Sequence, residues 1–105
     1  MNFKELVIKI TKSIPYGCVT TYGTIATLSG MPRGARLVGG ILHFAYQKED
    51  LPWHRVINRE GFISIRCMDH PKELQKALLE QEGVKVSKDL TIDLSTFGWW
   101  GEDVK

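Results

Sequence analysis

Pro52-Trp53-His54-Arg55-Val56-Ile57-Asn58 has the form of an active-site loop that feeds a strand. In a loop of this form a nucleophile is expected directly before the histidine. Trp53 stands there instead, and an indole offers one N–H donor and a broad flat face but no nucleophilic lone pair. The chemistry this segment suggests is therefore capture of something planar without transforming it. A lone tryptophan is otherwise a core or lid residue, and only its neighbours can decide between the two.

The arginines are the second set with chemical potential. All five (Arg33, Arg36, Arg55, Arg59, Arg66) fall between residues 33 and 66, a window whose only lysine is Lys48. A guanidinium is planar, donates in two directions and stacks, which suits phosphates and base edges. A solvated surface explains any single one as well. Five around the Trp53 loop point to an anionic partner. The net charge of +2 says little, but residues 1–48 carry six basic side chains against one acid, whereas residues 67–105 carry five against eight. Cys18 and Cys67 form no CxxC pair and are too few for a metal site or a disulfide framework. They read as free thiols in a reducing cytoplasm, and neither a metal nor a cofactor is expected.

The elements that position these residues fit in one domain spanning residues 1–105. A hydrophobic fraction of 43% and a charged fraction of 25% are ordinary for a globular chain. There is no apolar run of membrane-spanning length, and the first residues lack a signal peptide's layout. Residues 2–14 predict an amphipathic helix capped by Asn2, with Phe3, Leu6, Val7, Ile10 and Ile14 on one face. Pro15-Tyr16-Gly17 ends it, and residues 18–20 are extended. Thr20 or Thr21 caps a short helix over 22–29. Gly30 stops that helix and Pro32 opens the next.

The third helix, over 33–45, is expected to bury Leu37, Val38, Ile41, Leu42 and Ala45, and to present Arg33, Gly34, Arg36, Gly40 and His43 on its other face. Two helices joined by a tight glycine turn, the second beginning with small and basic residues, form a helix-turn-helix pattern. Residues 55–58 and 62–66 predict a small hairpin or wing turning at Arg59-Glu60-Gly61. Asp69 and Pro71 open a last helix over 71–82 with Leu74, Ala77, Leu78 and Gln81 on one side, closed by Gly83. Residues 84–86 and 90–94 are expected to be extended, with Phe97, Trp99 and Trp100 anchoring the tail.

With these blocks in place, the chain resembles the DNA-binding C-terminal domain of the O6-alkylguanine-DNA alkyltransferases, and most of all their alkyltransferase-like relatives, in which tryptophan replaces the acceptor cysteine. The motifs run in order: Pro15-Tyr16-Gly17 with Val19-Thr20-Thr21-Tyr22-Gly23, then Gly34-Ala35-Arg36-Leu37-Val38-Gly39-Gly40, the Trp53 segment, and Glu80-Gln81-Glu82-Gly83. The resemblance implies a mostly α, winged helix-turn-helix domain that docks in the minor groove of duplex DNA. It implies that Tyr22 sits at the target phosphate and Arg36 enters the stack as the nucleotide is flipped out. Trp53, Arg66 and His54 would line the alkylguanine pocket, and Thr21, Arg33, Gly34 and Ala35 would contact DNA. His54 and Glu82 match the relay that activates the family's cysteine, and without a thiol they are read as loop-orienting remnants. The family's asparagine between recognition helix and active loop is absent, with Ala45 in its place.

The resemblance further implies a monomeric, non-enzymatic sensor that holds O6-alkylguanine without removing the alkyl group and hands it to nucleotide excision repair proteins. The compartment would be the bacterial cytoplasm beside the nucleoid, or a nucleus. Two rivals stay open. One is an enzyme acting on alkylated bases, through another cysteine or as a glycosylase. The other is a sequence-specific winged-helix regulator, which would normally need a dimer that this chain has no evident element to build.

Overall fold

The structure, a computed structural model, describes residues 1–63 and 72–101. Helix α1 spans Phe3–Ser13. Asn2 caps it reciprocally: its Oδ1 accepts the Glu5 amide at 2.8 Å while Glu5 Oε1 accepts the Asn2 amide at 3.2 Å. Val7 and Ile10 go fully inside with Ile14 just beyond the helix, and Phe3 and Leu6 are partly covered. Thr11 joins this face because its hydroxyl donates to the Val7 carbonyl at 2.7 Å, which removes the cost of burying it. Ile14 leaves the helix with ψ 120°, the conformation that Pro15 imposes on its predecessor.

Strand β1 is Thr20–Thr21, and α2, Tyr22–Leu28, starts directly after it. Thr21 is the cap, accepting the Thr24 amide at 3.0 Å. Gly30, at φ 94°, takes the left-handed position that ends α2, and the Met31 amide returns to the Ala26 carbonyl at 2.9 Å. Helix α3 spans Ala35–Ala45. Pro32 does not open it as expected, and Arg33 lies outside it. The Gly34 amide bonds Met31 in a separate turn, so the helix begins one residue later. Gly34 is buried, not outward-facing: a Cβ there would lie 3.2 Å from the Phe3 ring. Leu37, expected inside, is 54% exposed, because the inward face runs through Val38, Leu42 and Ala45.

Strand β2, Val56–Ile57, follows a 3-10 turn at Trp53–Arg55. It runs parallel to β1 with Thr20 opposite Val56 and Thr21 opposite Ile57, and α2 and α3 form the crossover. The expected turn at 59–61 is present, built on Asn58, whose Oδ1 accepts the amides of Glu60 and Phe62. Beyond it Phe62 bridges Thr91 in antiparallel sense. The remainder of the expected second strand, with Arg66, and the helix-opening Asp69 and Pro71 lie outside the described residues.

Helix α4, Lys72–Gln81, turns Gln75 and Leu79 inward, and on the side that carries Leu74, Ala77, Leu78 and Gln81 only Leu78 is partly covered. Gly83 ends it at φ 87°, with the Val84 amide on the Leu79 carbonyl. Of the stretch expected to be extended, 90–94, Thr91 forms a bridge and Asp93 is extended, but Leu94 opens a last short helix, α5, Leu94–Phe97, because Asp93 accepts the Ser95 amide and Thr96 hydroxyl and caps a turn. Val19 stitches this tail to the sheet: its amide reaches the Phe97 carbonyl at 2.9 Å and its carbonyl the Trp99 amide at 2.7 Å. Trp99 is core, Phe97 half-buried and Trp100 46% exposed, so the three tail aromatics split between interior and surface.

Two apolar clusters result. One gathers α1, α2 and α3 around Val7, Ile25, Val38, Leu42 and Trp99. The other gathers Val19, Ile57, Leu79, Val84 and Ile92. The two-stranded sheet contributes a residue to each, Val56 and Ile57, because successive strand residues face opposite ways. No helix of the described residues is long and apolar enough to cross a membrane.

Candidate nucleic-acid interface and base pocket

The Trp53 loop is clamped from below by one carboxylate. Glu82, just past the end of α4, accepts from His54 Nε2 at 2.6 Å and from Arg55 Nε at 2.9 Å and Nη2 at 2.8 Å. It also accepts the Gly17 amide at 2.9 Å. An ionised carboxylate can only accept, so Nε2 of His54 carries the proton. Burial opposes the charge on Glu82, but the hydrogen bonds from Arg55, His54 and Gly17 outweigh it and lower its pKa from 4.5 to about 2. Arg55 extends the clamp: its Nη1 donates to the Ile14 carbonyl at 2.9 Å, an otherwise unpaired group past the end of α1. Its guanidinium also lies 5.6 Å from the Tyr16 ring centre, and the Tyr16 hydroxyl donates to Gln81. Arg55 thus leaves the set of arginines expected to meet an anion, since it is already paired inside the protein.

A second tether was not anticipated from the sequence. Gln75, 3% exposed, donates from Nε2 to the carbonyls of His54 at 3.0 Å and Val56 at 3.1 Å. These bonds hold the 3-10 turn from the α4 side, in a protein where Ala45 replaces the asparagine expected to bridge the loop. The available signal was a neutral amide four residues before the core residue Leu79, on the inward face of an amphipathic helix.

Trp53 itself is half-buried and meets its neighbours edge-on. Its ring centre lies 6.5 Å from that of Tyr46 at 72° and 6.0 Å from that of His54 at 84°. It lines an open cleft of about 680 Å³ together with Pro52, His54 and Arg55, and with Lys12 and Glu49 at the rim. No cysteine lines this cleft among the described residues. Cys18 packs half-buried against the helical core, and Cys67 lies outside the described residues. No group of three or more His, Cys, Asp or Glu among the described residues is placed to hold a metal.

The other expected contact residues sit on the helix-turn-helix. Tyr22 is the first residue of α2, and the β1–β2 register places it beside the chain leaving the Trp53 turn. Arg36 is exposed near the start of α3, and Arg33 is exposed just before it. Ala35 is half-buried at the helix start. Thr21 and Gly34 differ from expectation. The Thr21 hydroxyl is buried and committed to α2, accepting the Thr24 amide and sharing a 2.8 Å bond with the Thr24 hydroxyl. Gly34 is covered by Phe3 and Met31. Thr21 keeps a small edge on an open cleft that it shares with Gly23, Thr24 and Thr27, whereas the inward side of Gly34 is closed off. Tyr22 and Arg36 do not line the Trp53 cleft, and Arg66, expected in the pocket, lies outside the described residues.

Comparison with known proteins places this geometry in a family. Residues 2–84 match the family described as 6-O-methylguanine DNA methyltransferase, DNA binding domain. The chain is 46% identical over 98 residues to the DNA base-flipping protein of Escherichia coli K12, covering 93% of this chain and 74% of that one. It is 48% identical over 89 residues to alkyltransferase-like protein 1 of Schizosaccharomyces pombe, covering 82% of each. Among solved structures it superimposes with a TM-score of 0.83 on S. pombe Atl1 in complex with damaged DNA containing O6-carboxymethylguanine, at 39% identity, covering 92% of this chain and 94% of that one. The mostly helical architecture with a two-stranded sheet superimposes on that solved structure, and the chain belongs to the alkyltransferase-like proteins of the O6-alkylguanine-DNA alkyltransferase family.

Proposed function

We propose that this chain binds O6-alkylguanine in duplex DNA, rotates the damaged nucleotide out of the stack and holds it without removing the alkyl group. One observation carries the reading: the residue at the reactive position is an indole, set in a loop that Glu82, Arg55 and Gln75 hold in place around an open cleft. An indole cannot accept an alkyl group as a thiolate does, but it can stack on an extruded base, an interaction of roughly 1–3 kcal/mol. Extrusion costs a few kcal/mol, less for a poorly paired damaged base, so selection for the lesion comes partly from the DNA. The solved complex of S. pombe Atl1 with DNA containing O6-carboxymethylguanine supports the same ligand class here.

In this proposal the whole chain acts as one domain and as a monomer, with α3 in the minor groove. Arg36 fills the place the base vacates, Tyr22 turns the target phosphate, and Arg33 and Ala35 flank the contact. Trp53 and Arg66 receive the base, Arg66 donating to its O6 side. His54 and Glu82 keep their positions but serve the loop's shape. A lesion held intact must be excised by other proteins, so we also propose hand-over to nucleotide excision repair, in the compartment that holds the DNA: a bacterial cytoplasm or a nucleus.

The test is a titration of matched duplexes carrying guanine, O6-methylguanine and a bulkier O6-alkylguanine, followed by mass spectrometry of recovered DNA and protein. Tighter binding to both adducts with lesion and protein unmodified is expected. An alkylated protein or a released base would make it an enzyme. Equal binding to all three duplexes would leave only a DNA-binding regulator.

A further inference from the structure

The tail ends on an indole that the fold holds in place without hiding. Trp99 is core, and Trp100 beside it is 46% exposed. Two glycines fit the chain around that ring. A Cβ on Gly98 would lie 2.7 Å from Trp100 Cζ2, so glycine is what lets the indole fold back onto the tail. Gly101 turns at φ 85°, so close to Leu28 that a Cβ would lie 2.6 Å from its Cδ1. Trp100 belongs to none of the motifs that carry the family resemblance. Its ring forms one wall of an open cleft of about 350 Å³, and α2 forms the other with Thr21, Thr24, Thr27 and Leu28. The hydroxyls leave a donor there. Thr27 donates to the Gly23 carbonyl at 2.9 Å. Thr21 and Thr24 hold two hydroxyl protons between them, and their shared 2.8 Å bond takes one. The other has no acceptor among the described residues and is left to whatever enters the cleft.

We propose that this cleft seats the sugar–phosphate backbone on one flank of the flipped nucleotide, with Trp100 against a deoxyribose face and the threonine hydroxyl donating to a phosphate oxygen. Three observations choose that occupant. No carboxylate lines the cleft. Its α2 wall includes Thr21 and Gly23, the residues on either side of Tyr22, so a strand whose target phosphate lies at Tyr22 continues into it. Pro32 also lines it, and the exposed Arg33 follows directly. A hydroxyl donor beside a flat apolar face suits a phosphodiester and its sugar. The contact reads no base and lies on one side only, so the duplex is gripped further along one flank of the lesion than along the other. It rests on the proposal that α2 and α3 dock on DNA, and it leaves the choice of lesion to the Trp53 cleft.

The test pairs a change in the protein with a change in the DNA. Fluorescence anisotropy is measured for wild type and Trp100→Ala on a long duplex and on duplexes trimmed stepwise from either end, each with guanine or O6-methylguanine at the target. On the long duplex Trp100→Ala should bind about five- to tenfold more weakly, by the same factor on damaged and undamaged DNA. Trimming one flank should weaken wild type more than the variant until the two bind alike, whereas trimming the other should weaken both equally. Trp100→Phe should recover most of the loss, which separates a lost contact from a disturbed fold. Thr27→Lys, at an exposed position on the cleft edge, should tighten binding and steepen the salt dependence by about one phosphate. Wild-type affinity in Trp100→Ala, or a loss that survives trimming of both flanks, would overturn the proposal. Unchanged salt dependence in Thr27→Lys would overturn it too, and would assign the cleft to a protein partner. A wild-type protein that binds guanine and O6-methylguanine duplexes equally would sink lesion sensing while leaving the one-sided grip measurable on undamaged DNA.

Discussion

Replacing Glu82 with glutamine keeps the side-chain shape and removes the charge on which the Trp53 loop is built. The magnitude follows from the carboxyl's own titration. Its pKa falls from 4.5 to about 2 in the folded protein, and its side chain is only 6% exposed. At about 1.4 kcal/mol per pKa unit, the folded state favours the ionised form by roughly 3 kcal/mol. The sign is fixed, because the folded pKa lies below the unfolded one. The contribution is complete above about pH 4.5, shrinks as pH falls, and is gone near pH 2. At pH 7 the variant also leaves Arg55, 16% exposed, without its counter-charge. A loss of about 3 kcal/mol corresponds to a melting temperature roughly 12–24 °C lower for a domain near this size. Urea unfolding of both proteins at a series of pH values from 7 to 2 measures the difference directly. The gap should be widest at neutral pH and close toward pH 2. A variant as stable as wild type at pH 7, or a gap that does not change with pH, would refute the idea that this charge holds the loop.

Gln75→Leu keeps much of the volume but strands the carbonyls of His54 and Val56, so it should destabilise by about 2–4 kcal/mol in urea unfolding. It should also blunt the preference for adducts, since the Trp53 turn loses its α4 anchor. Arg36→Ala should abolish tight lesion binding while changing stability by less than about 0.5 kcal/mol, as expected of an exposed side chain; a clearly lower melting temperature would make Arg36 structural. Trp53→Ala should weaken binding to O6-alkylguanine duplexes by about 1–3 kcal/mol and to undamaged DNA much less, and equal losses would remove Trp53 from the pocket.

Much of the architecture was legible because its signals are local. Asn2 with Glu5, Thr21 with Thr24, and the glycines at 30 and 83 mark helix ends through backbone chemistry that acts within a few residues. The order of short motifs carried the family. What stayed hidden depends on distant partners. Strands of two residues have no periodicity to read, so nothing in Val56–Ile57 announced a parallel partner at Thr20–Thr21. Arg55 looked like its fellow arginines because its meeting with Glu82 and Ile14 exists only in three dimensions. Leu37 misled because apolar residues were assumed to face inward, while Gln75 took an interior place that its polarity argued against. The site itself divided the same way: Trp53, His54 and Arg36 were readable as motif members, and the Gln75 tether was not.

Glu82 joins the end of α4, the loop at Gly17 and the 3-10 turn at a single point, and Arg55 adds the end of α1. A receptor braced in this way has little slack to open or close around what enters. The slow step of capture should then belong to the nucleic acid: association should quicken wherever the target base is weakly paired, and respond little to solvent viscosity or to substitutions that loosen surface loops. Time spent on the duplex would be governed by how readily the base swings back, which turns dwell time into a gauge of damage.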